Sequence, residues 1–167
     1  MMENRNSAKK RMMFIQKEDY NFLTYNVLLI LKELDAFSEE TKFKDFRKIA
    51  YLIHFVSFNY DFNKYDKNEL SRIYSKSQLK KQLISHLLVI LKNSNYIGVS
   101  INHTHQSFDL WVKTENLPDD FLNSNLFEKE IKNIKLIKTI LPRLKSITVK
   151  KMVENIFTNN NVITWEI

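Results

Sequence analysis

The sequence predicts a mainly α chain: a winged helix-turn-helix core with one β-hairpin, continued by a C-terminal helical extension. Three observations predict it. Ile97, Val99 and Ile101 alternate with Gly98 and Ser100, and Phe108, Leu110 and Val112 alternate with Asp109 and Trp111; this is the period of two expected of half-buried strands. Between them Asn102-His103-Thr104-His105-Gln106 is a polar run of hairpin-loop length. Just ahead, Leu79, Leu83, Leu87, Ile90 and Leu91 recur at three- and four-residue spacing, the mark of one apolar helix face. Helices followed by a two-stranded wing give the winged-helix order. With one glycine and two prolines in 167 residues, the chain suits helices joined by Asn-, Asp- and Ser-rich loops.

Taken in order, residues 1–17 read as a disordered basic lead, 18–116 as the winged-helix-like core and 117–167 as the helical extension. In the lead, Lys9-Lys10-Arg11 runs into Met12-Met13-Phe14-Ile15 and then into Gln16-Lys17-Glu18-Asp19, an apolar run too short for a signal peptide. Asp19 to Ala36 is the first expected helix, with Leu23, Val27, Ile30, Leu31 and Leu34 as its stripe. Thr41 to Phe58 is the second, with Phe46, Ile49, Ala50, Ile53 and Val56 inside and Asp45, Arg47 and Lys48 outside. Tyr51, Leu52, Phe55 and Phe58 widen its apolar arc beyond one face. Such a helix is either central or covered by another chain, and these four residues are the expected partner interface.

Asn59 to Tyr65 reads as a loop. Asp66 and Glu69 cap a short helix through Tyr74, and Ser75-Lys76-Ser77-Gln78 resembles a second capping box opening the helix that leads to the hairpin. After the hairpin, Leu117-Pro118-Asp119-Asp120 breaks the chain. Helical spacing then runs from Phe121 to Pro142, and a last helix carries Ile147, Val149, Met152, Val153, Ile156 and Phe157. Val162 to Ile167 alternates like a short strand.

Composition limits the chemistry. There is no cysteine, so there is no disulfide framework, thiolate metal site or thiol nucleophile. A lone glycine excludes the phosphate-cradling loops. No apolar run approaches the roughly 18 residues of a membrane span, and a cytoplasmic location is expected. His103, His105 and Asp109 are too few for a convincing zinc site. Glu130-Ile131-Lys132, with Asp119 and Asp120 upstream, has the spacing of some metal-dependent nucleases, but falls on an expected helix rather than a sheet. The expectation is a non-enzyme with no catalytic residue, metal or cofactor.

A net charge of +7 suits a polyanion partner. Lys81, Lys92, Lys129, Lys132, Lys135 and Lys138 are the candidate contacts to double-stranded DNA. The helix at 78–92 offers Gln78 and Gln82 for base readout but no arginine, so binding should be non-specific.

Phe43-Lys44-Asp45-Phe46-Arg47-Lys48-Ile49-Ala50-Tyr51-Leu52-Ile53, the helix ending Leu87-Leu88-Val89-Ile90-Leu91 with Tyr96-Ile97, the hairpin, and Phe121-Leu122-Asn123-Ser124-Asn125 together resemble the small middle component of ABC-three-component, Lamassu-type defence systems, over about residues 20–158. One departure is that Thr114-Glu115-Asn116 lacks the glycine that family members often carry after the second strand. The resemblance implies a non-catalytic accessory subunit on an SMC- or Rad50-like ATPase, beside a separate effector, often a nuclease, in prokaryotic antiviral or anti-plasmid defence. The residues alone also fit a free-standing winged-helix DNA-binding regulator or, on Glu130 and Lys132, a small nuclease.

Overall fold

A computed structural model describes residues 20–165, so the basic lead at 1–17 lies outside the described residues. The described chain is mainly helical, with one two-stranded antiparallel hairpin. The first helix, α1, covers 20–33. Its predicted stripe of Leu23, Val27, Ile30, Leu31 and Leu34 is buried, and so are Leu28 and Leu29. It ends where Asp35 takes φ 58° and Ala36 N–H reaches back to Leu31 C=O at 2.9 Å. This is a left-handed helix stop with aspartate in the usual place of glycine.

The second helix starts later than its periodicity predicts. Helix α2 is Arg47–Ser57, while the segment before it lies alongside the hairpin. Phe43 and Leu110 exchange both backbone hydrogen bonds, at 2.7 and 2.9 Å, and Phe46 N–H donates to Phe108 C=O at 2.9 Å. A backbone committed to a neighbouring strand cannot also make helical bonds, so the helix begins only past Asp45, itself at φ 66°. Asp45 and Lys48, expected outside, are buried. The Asp45 carboxylate accepts from Arg47 and from Ser107 Oγ (2.8 Å), and the Lys48 ammonium donates to Leu144 C=O at 2.7 Å beneath the Phe43 ring.

Helix α3, Lys67–Asn93, is one helix of 27 residues where the sequence predicts two. The reciprocal capping box is at Asp66 and Glu69, with both bonds at 2.8 Å. The Ser75–Gln78 signal does not act as a cap. Ser77 Oγ donates to Ile73 C=O at 2.7 Å and Gln78 Nε2 to Tyr74 C=O at 3.1 Å. Polar side chains that bond back one turn leave a helix free to continue.

Strands β1, Ile97–Asn102, and β2, Ser107–Val112, pair from Ile97 opposite Val112 to Asn102 opposite Ser107, as the alternation predicts. Gly98 lies opposite Trp111, and a Cβ there would overlap the indole. Beyond the hairpin, the predicted helical run from Phe121 is only partly helical. Turns occupy it up to Phe127, where Phe121 and Phe127 each lie 5.0 Å from the Tyr25 ring. Helix α4 is Glu128–Ile140 and α5 is Val149–Ile156. Residues 162–165 form no ladder; Val162 is buried and Trp165 packs edge-on against Tyr74 at 4.6 Å.

Helix α2 is the centre, touching α3, α4 and α5. Two buried polar bonds fasten it to the C-terminal half: Lys48 to Leu144 C=O, and Asn133 Nδ2 to Val56 C=O, both near the limit of close hydrogen bonding at 2.7 and 2.8 Å. Burial pushes the Lys48 ammonium down to about 7 from its ordinary 10.5, against the pull of Asp45 and Asp109. Between those values the unfolded chain holds more protons than the folded one, so stability rises with pH. Denaturant unfolding should show the midpoint climbing from pH 7 towards 10.5, and Lys48→Met should flatten that climb, leaving the smaller rise from Lys81, which burial lowers to about 8.

Candidate functional site

The partner surface expected on α2 is not where the sequence put it. Tyr51, Leu52 and Phe55 are fully buried inside this one chain. Tyr51 stacks on Tyr74 at 5.6 Å, and Phe55 meets Phe62 and Tyr65 edge-on at 4.6 and 5.2 Å. The wide apolar arc of α2 is covered within this chain, by α3, α4 and α5 among others, which corrects the assignment of those residues to an interface. Phe58 alone of the four is open, at 60%, just past the helix end and 4.7 Å from the His54 ring.

One stretch of open apolar side chains lies on α3; others, among them Phe22, Ile101, Leu126 and Ile163, lie elsewhere. Ile84, Leu87, Leu88 and Leu91 are buried, whereas Leu79, Val89 and Ile90 are 64, 60 and 56% exposed. Leu83 is half-buried and His86 is exposed. The face expected to be all core therefore divides in two. At about 100° per residue, Leu79, Leu83, His86 and Ile90 fall on one outward line with four-three-four spacing. Helix–helix seams use the same spacing, although here His86 is polar and Leu83 is already half-buried in this chain.

Several predicted DNA contacts are occupied or scattered. The Lys81 ammonium donates to Gln78 Oε1 at 3.0 Å and lies 4.6 Å over the Tyr51 ring, while Gln78 donates to the Tyr51 hydroxyl at 3.1 Å. Both side chains are part of the α2–α3 packing, so neither is poised to read a base. Lys92 and Gln82 are exposed. On α4, steps of three residues drift by roughly 60° each, so Lys129, Lys132, Lys135 and Lys138 fan round the helix. Lys129 lies 5.9 Å over Phe58, and Lys138 is 3.9 Å from Asp35. The four do not form one line of cations.

His103 and His105 are exposed at the hairpin tip, while Asp109 is buried and accepts from Asp45 N–H at 2.8 Å and Asn102 at 3.0 Å. Among the described residues no three His, Asp or Glu side chains are grouped to hold a metal. Asp119 and Asp120 line a polar groove at the Pro118–Asn125 turn with Lys32, and neither Glu130 nor Lys132 lines it. His54 is half-buried between Phe58 and Tyr65, and burial followed by the charges of Lys80 and Lys76 lowers its pKa.

No protein-family model, curated protein or solved structure matches the chain. None of its described helices is long and apolar enough to cross a membrane.

Because Leu79 and Ile90 face outward, Leu79→Glu and Ile90→Glu should each leave chemical-denaturation stability within about 0.5 kcal/mol of the parent. Ile84→Ala, on the inward face of the same helix, should cost about 2–5 kcal/mol.

Proposed function

We propose that this protein is a non-catalytic adaptor of winged-helix type, an accessory subunit of an SMC- or Rad50-like ATPase complex that acts in the cytoplasm in antiviral or anti-plasmid defence beside a separate effector. The observation that carries the reading is the outward face of α3. A small domain that buries a full core and still leaves Leu79, Val89 and Ile90 in water holds surface suited to a partner. The seam spacing favours a helical partner, such as the coiled-coil arm of an SMC-like protein.

The winged-helix assignment draws on element order. Helix α1, the extended Phe43 segment, α2, α3 and the hairpin follow one another, and Phe43 pairs with the hairpin's second strand as a one-residue third strand. In DNA-binding members of such folds the helix before the wing enters the major groove. Here that helix turns Leu79, Val89 and Ile90 outward beside Gln82, His86 and Lys92, so apolar side chains interrupt the polar set that could read base edges. A free-standing operator-binding regulator is therefore the second reading. From Leu70 to Phe108 the chain has no acidic residue, so a partner helix with Asp or Glu beside its apolar seam meets no like charge.

Co-expression with an SMC-like ATPase encoded beside it should give a complex that survives gel filtration. Leu79→Glu with Ile90→Glu should release the ATPase while the isolated variant unfolds at the parent's midpoint. A complex that ignores both substitutions, or tight binding to one operator with no complex, would overturn the adaptor reading. The purified chain should also leave plasmid DNA uncut with magnesium or manganese; cutting that is lost in Glu130→Ala would restore the nuclease.

A further inference from the structure

An open groove runs between the connection leading into α2 and the turn joining α4 to α5. Lys42 and Lys44 line one wall, Arg143 and Lys145 the other, and Lys138 of α4 closes one side. The two walls are about a hundred residues apart in sequence, and backbone bonds bring them together. Lys44 N–H donates to Lys145 C=O at 2.8 Å, and Lys48 holds Leu144 C=O from below at 2.7 Å. The turn itself is tight: Arg143 sits at φ 62°, and its carbonyl accepts from both Ser146 N–H and Ile147 N–H at 2.9 and 2.8 Å. The cations are thus mounted on fixed backbone.

Their charges are not all balanced. Lys42 pairs with the buried Asp109 at 3.3 Å, and Lys138 reaches Asp35 at 3.9 Å. Glu40, also on the groove, is fully exposed, with its carboxylate turned to its own backbone and Ser38. Lys44, Arg143 and Lys145 have no carboxylate partner among the described residues. Holding three like charges around one hollow is unfavourable until an anion enters.

We infer that this groove binds the phosphodiester backbone of a nucleic acid without reading its sequence. An arginine suits the fork of phosphate oxygens, and lysines act as point charges beside it. The cations are spread along two facing walls, which suits the backbone of a duplex laid along the groove more than a single phosphate held in a closed pocket. Among the described residues the groove has no aromatic side chain in its lining, and so none offers a platform on which a base could stack. Of these residues, Lys138 alone is among the six lysines named above as candidate contacts to DNA; Arg143 and Lys145 belong to the same basic C-terminal stretch of the sequence. The inference stands apart from the α3 surface, which lies on another element.

The test is filter binding of a short random duplex to the full chain across a salt series. Three phosphate contacts predict that affinity falls with a log–log slope of about 2.7. Lys44→Glu with Lys145→Glu should weaken binding roughly tenfold or more, while Lys129→Glu, on the other flank of α4, leaves it unchanged. Should the charge reversal lower the unfolding midpoint, Lys44→Gln with Arg143→Gln serves instead, with a smaller loss in the same direction. The assignment is overturned if the duplex does not bind at low salt, or if Lys129→Glu weakens it and the groove variants do not. It is equally overturned if only inorganic pyrophosphate or vesicles of anionic lipid bind the groove.

Discussion

The hairpin side of the molecule depends on one exchange of backbone hydrogen bonds, between Phe43 and Leu110. That pair fixes where α2 begins and ties the start of the core to the end of the hairpin. It is guarded by two buried carboxylates. Asp109 accepts the Asp45 N–H, and Asp45 accepts from Ser107 two residues before Asp109. Burial alone would push the Asp45 carboxyl up, but hydrogen bonds from Arg47 and Ser107 and the charge of Arg47 outweigh it and hold the group below its usual range. Ionised carboxylates under the surface persist only when their oxygens are engaged, and removing one partner from such a set costs about 3–5 kcal/mol. The network is therefore less a source of stability than of definition: it leaves the chain one way to lie against β2.

Helix α2 is the spine on which the other half is hung. Its first turn is reached by the Leu144 carbonyl through Lys48, and its last turn by Asn133. Each bond satisfies a backbone carbonyl that would otherwise be buried unpaired. The apolar contacts between these helices could slide. The two polar bonds, one at each end of α2, set the register of α4 and of the turn after it, and with that turn the positions of Arg143 and Lys145.

The sequence showed some of this plainly. The hairpin was legible because a period of two, a polar loop and a single glycine all agree. The stripe of α1 was legible because its three- and four-residue spacing marks one helix face, and that face is buried. What could not be read was which neighbours a helix would have. The apolar arc of α2 fits a partner surface or a central position equally well, and only the placing of α3, α4 and α5 decides it. On α3 both apolar lines have helical spacing, so periodicity could not say that Leu87 turns inward and Ile90 outward. Ser75-Lys76-Ser77-Gln78 misled because its groups are those of a cap, yet tertiary contact with Tyr51 and bonds to the preceding turn absorb them. The basic groove was hidden for a simpler reason: its walls are far apart in the chain, and a backbone bond between Lys44 and Lys145 leaves no local mark.

The closeness of Gly98 to Trp111 has an optical consequence. The chain has two tryptophans, and they occupy different settings. Trp111 is half-buried across the hairpin pair, in a space that exists only because Gly98 has no side chain. Trp165 is 58% exposed at the far end, against Tyr74 of α3. The emission of one indole therefore follows strand register, and that of the other follows the docking of the chain's end. With no label attached, the molecule carries separate fluorescent gauges for its hairpin and for the segment that follows Val162.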